Sequence, residues 1–114
     1  MSDCLFCKMI NGEIPHTPLY SDADVFAIKD IDPKAPQHFL VIPKRHIDTL
    51  NALTPNDETL IGHMHWVASQ LAKTHQFDES GYRVLFNCNQ DGGQAVYHIH
   101  LHVLGGRQLA WPPG

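Results

Sequence analysis

The chain has 114 residues, enough for one domain (1–114) with a single buried core, and its 43% hydrophobic and 18% charged composition is globular rather than disordered. A net charge of −4 with no Lys/Arg run argues against nucleic-acid binding, and no apolar stretch has the length of a membrane span. Met1-Ser2-Asp3-Cys4 lacks the basic-then-apolar order of a secretory leader, and the odd set Cys4, Cys7 and Cys88 therefore points to reduced thiols and a cytoplasmic location.

In chain order, Cys4 to Ile10 has apolar residues at helical spacing and stops at Asn11-Gly12, which predicts a short helix. Pro15 and Pro18 force extended chain. Val25–Ile31 and His38–Ile42 read as strands, closed by Asp32-Pro33 and by Pro43. Thr54-Pro55-Asn56-Asp57 is a helix start, with a capping hydroxyl, proline at the first helical position and an acid near the positive dipole end. Leu60, Ile61, Met64, Val67, Ala68, Leu71 and Ala72 then mark one face of a long helix packed across a sheet. Tyr82–Cys88 and Val96–Leu104 are further strands, and the Gly-Gly turn within Asn89–Gln94 predicts that they form a hairpin. The expected fold is α+β: an antiparallel sheet of about five strands with one long and one short helix. The tail Trp111-Pro-Pro-Gly114 is irregular, and its Trp needs a surface to cover it.

Nine histidines in so short a chain are unusual, and three of them alternate. With period two, His98, His100 and His102 fall on one strand face, and Tyr97, Ile99, Leu101 and Val103 fall on the other, against the core. Imidazole serves as nucleophile, general base, metal ligand or, protonated, phosphate donor. A merely His-rich polar sheet face and a His-metal site are the competing readings, since His-x-His on a strand is a good ligand spacing.

His98-Ile-His-Leu-His102-Val-Leu, preceded by Asp91-Gly-Gly-Gln94, resembles the signature of the histidine triad (HIT) family. Asp30-Ile31, the stretch Ala35–Lys44, and the end from Leu104-Gly-Gly-Arg107 to Trp111-Pro-Pro-Gly114 are similar to its Hint branch. The resemblance implies a two-fold homodimer and a purine nucleoside phosphoramidase. Such an enzyme hydrolyses adenosine or guanosine 5′-phosphoramidates and aminoacyl adenylates to the nucleoside monophosphate, without a catalytic cofactor.

Carried over by position, the resemblance makes His100 the nucleophile that forms a nucleotidyl-imidazole, which water then hydrolyses. His102 would contact the phosphate or leaving group, His98 would orient the strand and the neighbouring imidazole, and His38 would complete the hydrogen-bonded set. Asp30 would accept the ribose hydroxyls, as two carboxylate oxygens match a diol. Ile31, Leu5 and Phe6 would wall the purine, although ordinary core packing also explains them. Asn87 would donate to the phosphate or orient a partner, and Gly93 and Gln94 would bring backbone N–H groups close to the phosphate. Animal members carry Ser where this chain has Ala95, which removes a hydroxyl near the leaving amine. Some bacterial relatives hold structural zinc with residues that map to Cys4, Cys7, His46 and His98, a closed two-Cys, two-His set. His16, His63, His65 and His75 are expected to be structural or solvated. The alternatives are a dinucleoside polyphosphate hydrolase or nucleotidyl transferase of the same superfamily, and a nucleotide-binding interaction module with little turnover.

Overall fold

The computed structural model describes residues 3–114. The elements are α1 (Leu5–Ile10), β1 (Tyr20–Ser21), β2 (Val25–Lys29), β3 (Gln37–Pro43), α2 (Glu58–Thr74), β4 (Tyr82–Leu85), the single turn α3 (Asn89–Gly92) and β5 (Leu101–Gly105). The strands form one five-stranded antiparallel sheet in the order β1-β2-β3-β5-β4. This is the expected α+β architecture, with the two-residue β1 as an addition. No helix among the described residues is long and apolar enough to cross a membrane.

Alternation along the strands assigns the two faces of the sheet. Val25 and Ala27 of β2, Phe39 and Val41 of β3, and Leu101 and Val103 of β5 point to one side. There they meet Met64, Val67, Ala68, Leu71 and Ala72, the apolar stripe of α2. Phe26, Ile28, Leu40 and Ile42 point the other way and pack with Phe6 of α1. Because both faces are covered, β3 is buried from His38 to Pro43 and reads as a continuous apolar run.

Helix α2 begins at Glu58, preceded by a 3₁₀ turn over Pro55–Asp57. Asp57 is buried, its carboxylate accepts the Thr54 N–H at 2.8 Å, and Arg45 pairs with it. The capping acid thus anchors the helix start to the loop after β3. At α1, Cys4 is the N-cap, and its Sγ accepts the Cys7 N–H at 3.4 Å.

Two expectations are corrected. First, β4 and β5 are antiparallel neighbours but not a tight hairpin: β4 ends at Leu85, β5 starts at Leu101, and residues 86–100 run between them. Gly92 ends α3 and Gly93 is its left-handed cap (φ +77°), so the Gly-Gly pair terminates a helical turn instead of reversing a hairpin. Second, Tyr97 is 46% exposed and not on the core face. The chain bends through Val96–His98, so strict alternation starts only after it.

Candidate active site

The triad run enters the sheet from the bend at Val96–His98. Ile99, Leu101 and Val103 are buried under α2, and the Ile99 N–H donates to the Ile47 carbonyl at 2.8 Å. This pins the run to the loop after β3 and turns the three imidazoles toward α1. The predicted one-sided presentation of His98, His100 and His102 is present, although only His102 lies within β5 proper.

Each imidazole has different partners, and the partners fix its proton. A His ring nitrogen facing a carbonyl carries hydrogen, and one receiving an N–H does not. His100 Nδ1–H donates to the His98 carbonyl at 2.8 Å, which leaves Nε2 as a bare lone pair. The Lys34 amide donates to His38 Nδ1 at 3.0 Å, so His38 carries its proton on Nε2, 2.9 Å from His102 Nδ1. His102 therefore accepts at Nδ1 and is protonated at Nε2. That Nε2 is buried and has no hydrogen-bond partner among the described residues. Asp30 Oδ2 lies 3.4 Å from His38 Nε2, and its Oδ1 accepts the Asp32 N–H at 2.8 Å.

Burial is the main force on these rings. It pushes His38, His98 and His100 below the ordinary histidine value, and burial beside His100 and His38 pushes His102 down to about 4. Near neutral pH the set is uncharged, so His100 offers a free electron pair at Nε2.

His100 and His102 border a cavity of about 320 Å³. Phe6, Met9, Ile28 and Leu40 form its apolar lining; Leu5, Asp30, Ile31, Asn87 and Gly93 also line it. Ile31 is 97% exposed and therefore sits at the rim of the cavity. Phe6 packs edge-on against His98 and His100, with ring centroids 5.6 and 5.2 Å away.

A second cluster lies on the far side of His98. Its Nε2–H donates to the Pro43 carbonyl at 2.7 Å, which turns the Nδ1 lone pair toward Cys4 Sγ (3.3 Å), Cys7 Sγ (3.6 Å) and His46 Nδ1 (3.1 Å). His46 holds its own proton on Nε2 against Asp48 Oδ1, at 2.5 Å. The four candidate ligand atoms lie within 4.8 Å of one another.

Eight of the predicted residues line one cavity: His100, His102, Asp30, Ile31, Leu5, Phe6, Asn87 and Gly93. His38 acts on it through His102, and His98 faces the sulfur cluster instead. The expected phosphate-facing amides of Gly93 and Gln94 are a correction. Their N–H groups are taken by the Gln90 and Asn89 carbonyls, because these residues close the α3 turn. The Gln94 side chain is buried and bonds the Asn89 N–H and the Asp48 and Val96 carbonyls, so it staples loops together. Sequence reasoning missed Met9, whose spacing of four from Leu5 on α1 was a usable signal. It also missed the Lys34 amide and Asp48, for which no local pattern exists. His63 bonds Asp22 at 2.6 Å and His75 packs on Phe39, both in structural roles.

The comparisons with known proteins agree with this geometry. The family model described as scavenger mRNA decapping enzyme C-term binding matches residues 3–109. An uncharacterised HIT-like protein of Buchnera aphidicola subsp. Baizongia pistaciae is 41% identical over 109 residues, covering 96% of this chain and 97% of that one. The crystal structure of a HIT family hydrolase from Legionella pneumophila superposes with a TM-score of 0.95 at 51% identity, covering 98% of this chain and all of that one. A histidine triad nucleotide-binding protein from Candida albicans matches with a TM-score of 0.81 at 34% identity, covering 96% and 83% of the two chains. Matched almost end to end by family, relative and solved structures, the chain belongs to the histidine triad family.

Proposed function

We propose that the protein is a purine nucleoside phosphoramidase of the Hint branch, acting through a nucleotidyl-His100 intermediate. The observation that carries this reading is the bare Nε2 of His100, fixed by its Nδ1–H bond to the His98 carbonyl at the edge of a cavity with an apolar lining. The hydrolase and nucleotide-binding descriptions of the Legionella and Candida relatives support the same chemistry. The purine lies against Leu5, Phe6 and Ile31, and Asp30 receives the ribose hydroxyls. Asn87 and Gly93 flank the phosphate.

His100 Nε2 attacks the α-phosphorus, a P–N(imidazole) bond forms, and the substrate P–N bond breaks. The amine departs with that electron pair and takes a proton from solvent, and the His102 Nε2–H, set by the bond from His38, is the hydrogen-bond donor we assign to the leaving-group side. Water then attacks the phosphorus, releases His100 and returns the proton, so one water is consumed per nucleoside monophosphate formed. Ala95 lines the cavity without a hydroxyl, so His102 is the side-chain donor on the leaving-group side.

We also propose structural zinc at Cys4, Cys7, His46 and His98. The donor set fits. Both imidazoles turn unprotonated Nδ1 atoms toward each other at 3.1 Å and each toward a cysteine sulfur at 3.3 Å, so two nitrogen lone pairs and two sulfurs converge as a tetrahedral donor set. Burial and the adjacent Cys4 sulfur push the Cys7 thiol up, a cost that a divalent ion removes. Asp48 behind His46 is the carboxylate that commonly backs a zinc-bound imidazole. When bound, the ion fastens α1 to the triad run. A homodimer and a cytoplasmic location complete the proposal, supported by Trp111 at 80% exposure beside Arg83 of β4 and by the three free thiols.

The test is AMP release from adenosine 5′-phosphoramidate, with EDTA added to scavenge free metal. Wild type is expected to release AMP, and His100→Ala to lose at least about 10³-fold in rate. Release that survives His100→Ala sinks the covalent mechanism. Turnover of dinucleoside polyphosphates alone assigns the other hydrolase class, and nucleotide binding without any turnover assigns a binding module.

A further inference from the structure

We propose that the sulfur–imidazole cluster is a positioning device for the nucleophile: an ion held by Cys4, Cys7, His46 and His98 fixes the His98 backbone, and the His98 carbonyl in turn fixes His100. This rests on the zinc and phosphoramidase readings above and adds a dependence of one site on the other.

The link is His98 itself. Its Nδ1 faces the cluster, its Nε2–H holds the Pro43 carbonyl, and its own carbonyl accepts the His100 Nδ1–H at 2.8 Å. That last bond selects the tautomer with a free Nε2. The sheet ladder does not hold this carbonyl, because β5 pairing begins at Val41↔Leu101, after both His98 and His100. The Ile99 N–H bond to the Ile47 carbonyl holds one edge of the same peptide plane; the remaining anchors of His98 are those of its ring, and one of the ring's two anchors is the cluster.

A second path runs through α1. Phe6 lies between the two cysteines in sequence and packs edge-on against both His98 and His100. Two ligated sulfurs fix the first turn of α1 and so fix that ring, which also lines the cavity. Without the ion, only weak S–H bonds from Cys4 to His98 Nδ1 and from Cys7 to His46 Nδ1, each at 3.3 Å, tie α1 to the two rings. The His98 carbonyl and Phe6 are the first neighbours to feel that looser tie. A displacement near 1 Å at a reacting group costs on the order of 10²-fold in rate.

The experiment uses the full chain labelled with ¹⁵N-histidine, measured zinc-loaded and after removal of zinc with a chromophoric chelator that counts the ion released. Long-range ¹H–¹⁵N spectra read each ring's tautomer, with His100 assigned by its absence in His100→Ala. On zinc loss, the His100 pattern should change from a single Nδ1–H form to an averaged one. The rate constant kcat should fall about 100-fold, with KM within about three-fold.

If the stripped protein unfolds, Asp48→Asn replaces it. Asp48 is exposed and contacts the cluster only through the His46 Nε2 bond, and its loss should weaken zinc binding by about 10- to 100-fold. Zinc titrated into this variant should restore the His100 tautomer and kcat in step with occupancy. An unchanged His100 pattern and kcat in folded, zinc-free protein overturns the proposal, as does a wild type that takes up no zinc. If wild type fails to hydrolyse the phosphoramidate, the phosphoramidase reading falls alone, because the spectra still decide the coupling.

Discussion

His98 and His102 stand four residues apart on one run, yet their rings are prepared for opposite tasks. His98 gives its Nε2 proton to a backbone carbonyl and points a lone pair at two sulfurs and a third imidazole. His102 accepts a hydrogen bond at Nδ1 and carries a buried Nε2–H with no partner among the described residues. The residue type is the same, with His98 fully buried and His102 partly so. What differs is the atom behind each ring: the Pro43 carbonyl in one case, and a His38 ring polarised by the Lys34 amide in the other. The lesson is that a histidine's chemistry is set by its rear partner, and here those partners come from the two ends of β3.

The comparison can be broken at either end. The largest effect is expected for Cys4→Ala, which removes a ligand and the α1 cap together. Thermal or denaturant unfolding with zinc present should register a loss of about 4 kcal/mol, the range in which losing a structural metal falls. His102→Ala should leave stability closer to wild type and cut kcat about 100-fold, the contribution typical of a positioned acid. His38→Ala should reproduce part of that loss, about ten-fold, because His102 survives with its tautomer unfixed.

Acid sharpens the comparison more gently. His102 titrates at about 4 in the folded protein against an ordinary 6.5, and His38 is lowered in the same direction. The unfolded chain therefore binds these protons first as pH falls. Their contribution to stability is complete above pH 6.5 and is lost progressively as pH falls toward 4. Melting temperature should drop between pH 7 and 5, and His102→Ala should flatten that slope; an equal slope in both proteins would contradict the assignment. The smallest effect is expected for Ile31→Ala. At 97% exposure it should change stability by less than about 0.5 kcal/mol while raising KM for the nucleotide.

The apolar side of the molecule was legible because it follows a period. The α2 stripe from Met64 to Ala72 and the alternation in β2, β3 and β5 name their own faces. The triad was legible for the same reason, from His98 onward. The segment 86–100 was not: Asn89–Gln94 carries turn residues that suit a hairpin equally well, and only the Gln94 side chain, which bonds the Asn89 N–H and the distant Asp48 carbonyl, decides for a helical turn. Tyr97 was misread because period two was extended across a bend. The rear partners, Pro43 and the Lys34 amide, are backbone atoms, and side-chain identity carries no trace of them.

The bond between Cys4 and His98 spans 94 positions of sequence. A ribosome adding about 5–20 residues per second emits the two cysteines roughly 5–20 seconds before the imidazole that completes their set. Until His46 and then His98 have been added, the nascent chain offers a dithiol without its full set of partners. The cluster is thus a record of synthesis conditions: it assembles intact only where the surroundings keep both sulfurs reduced until the far end of the chain has emerged.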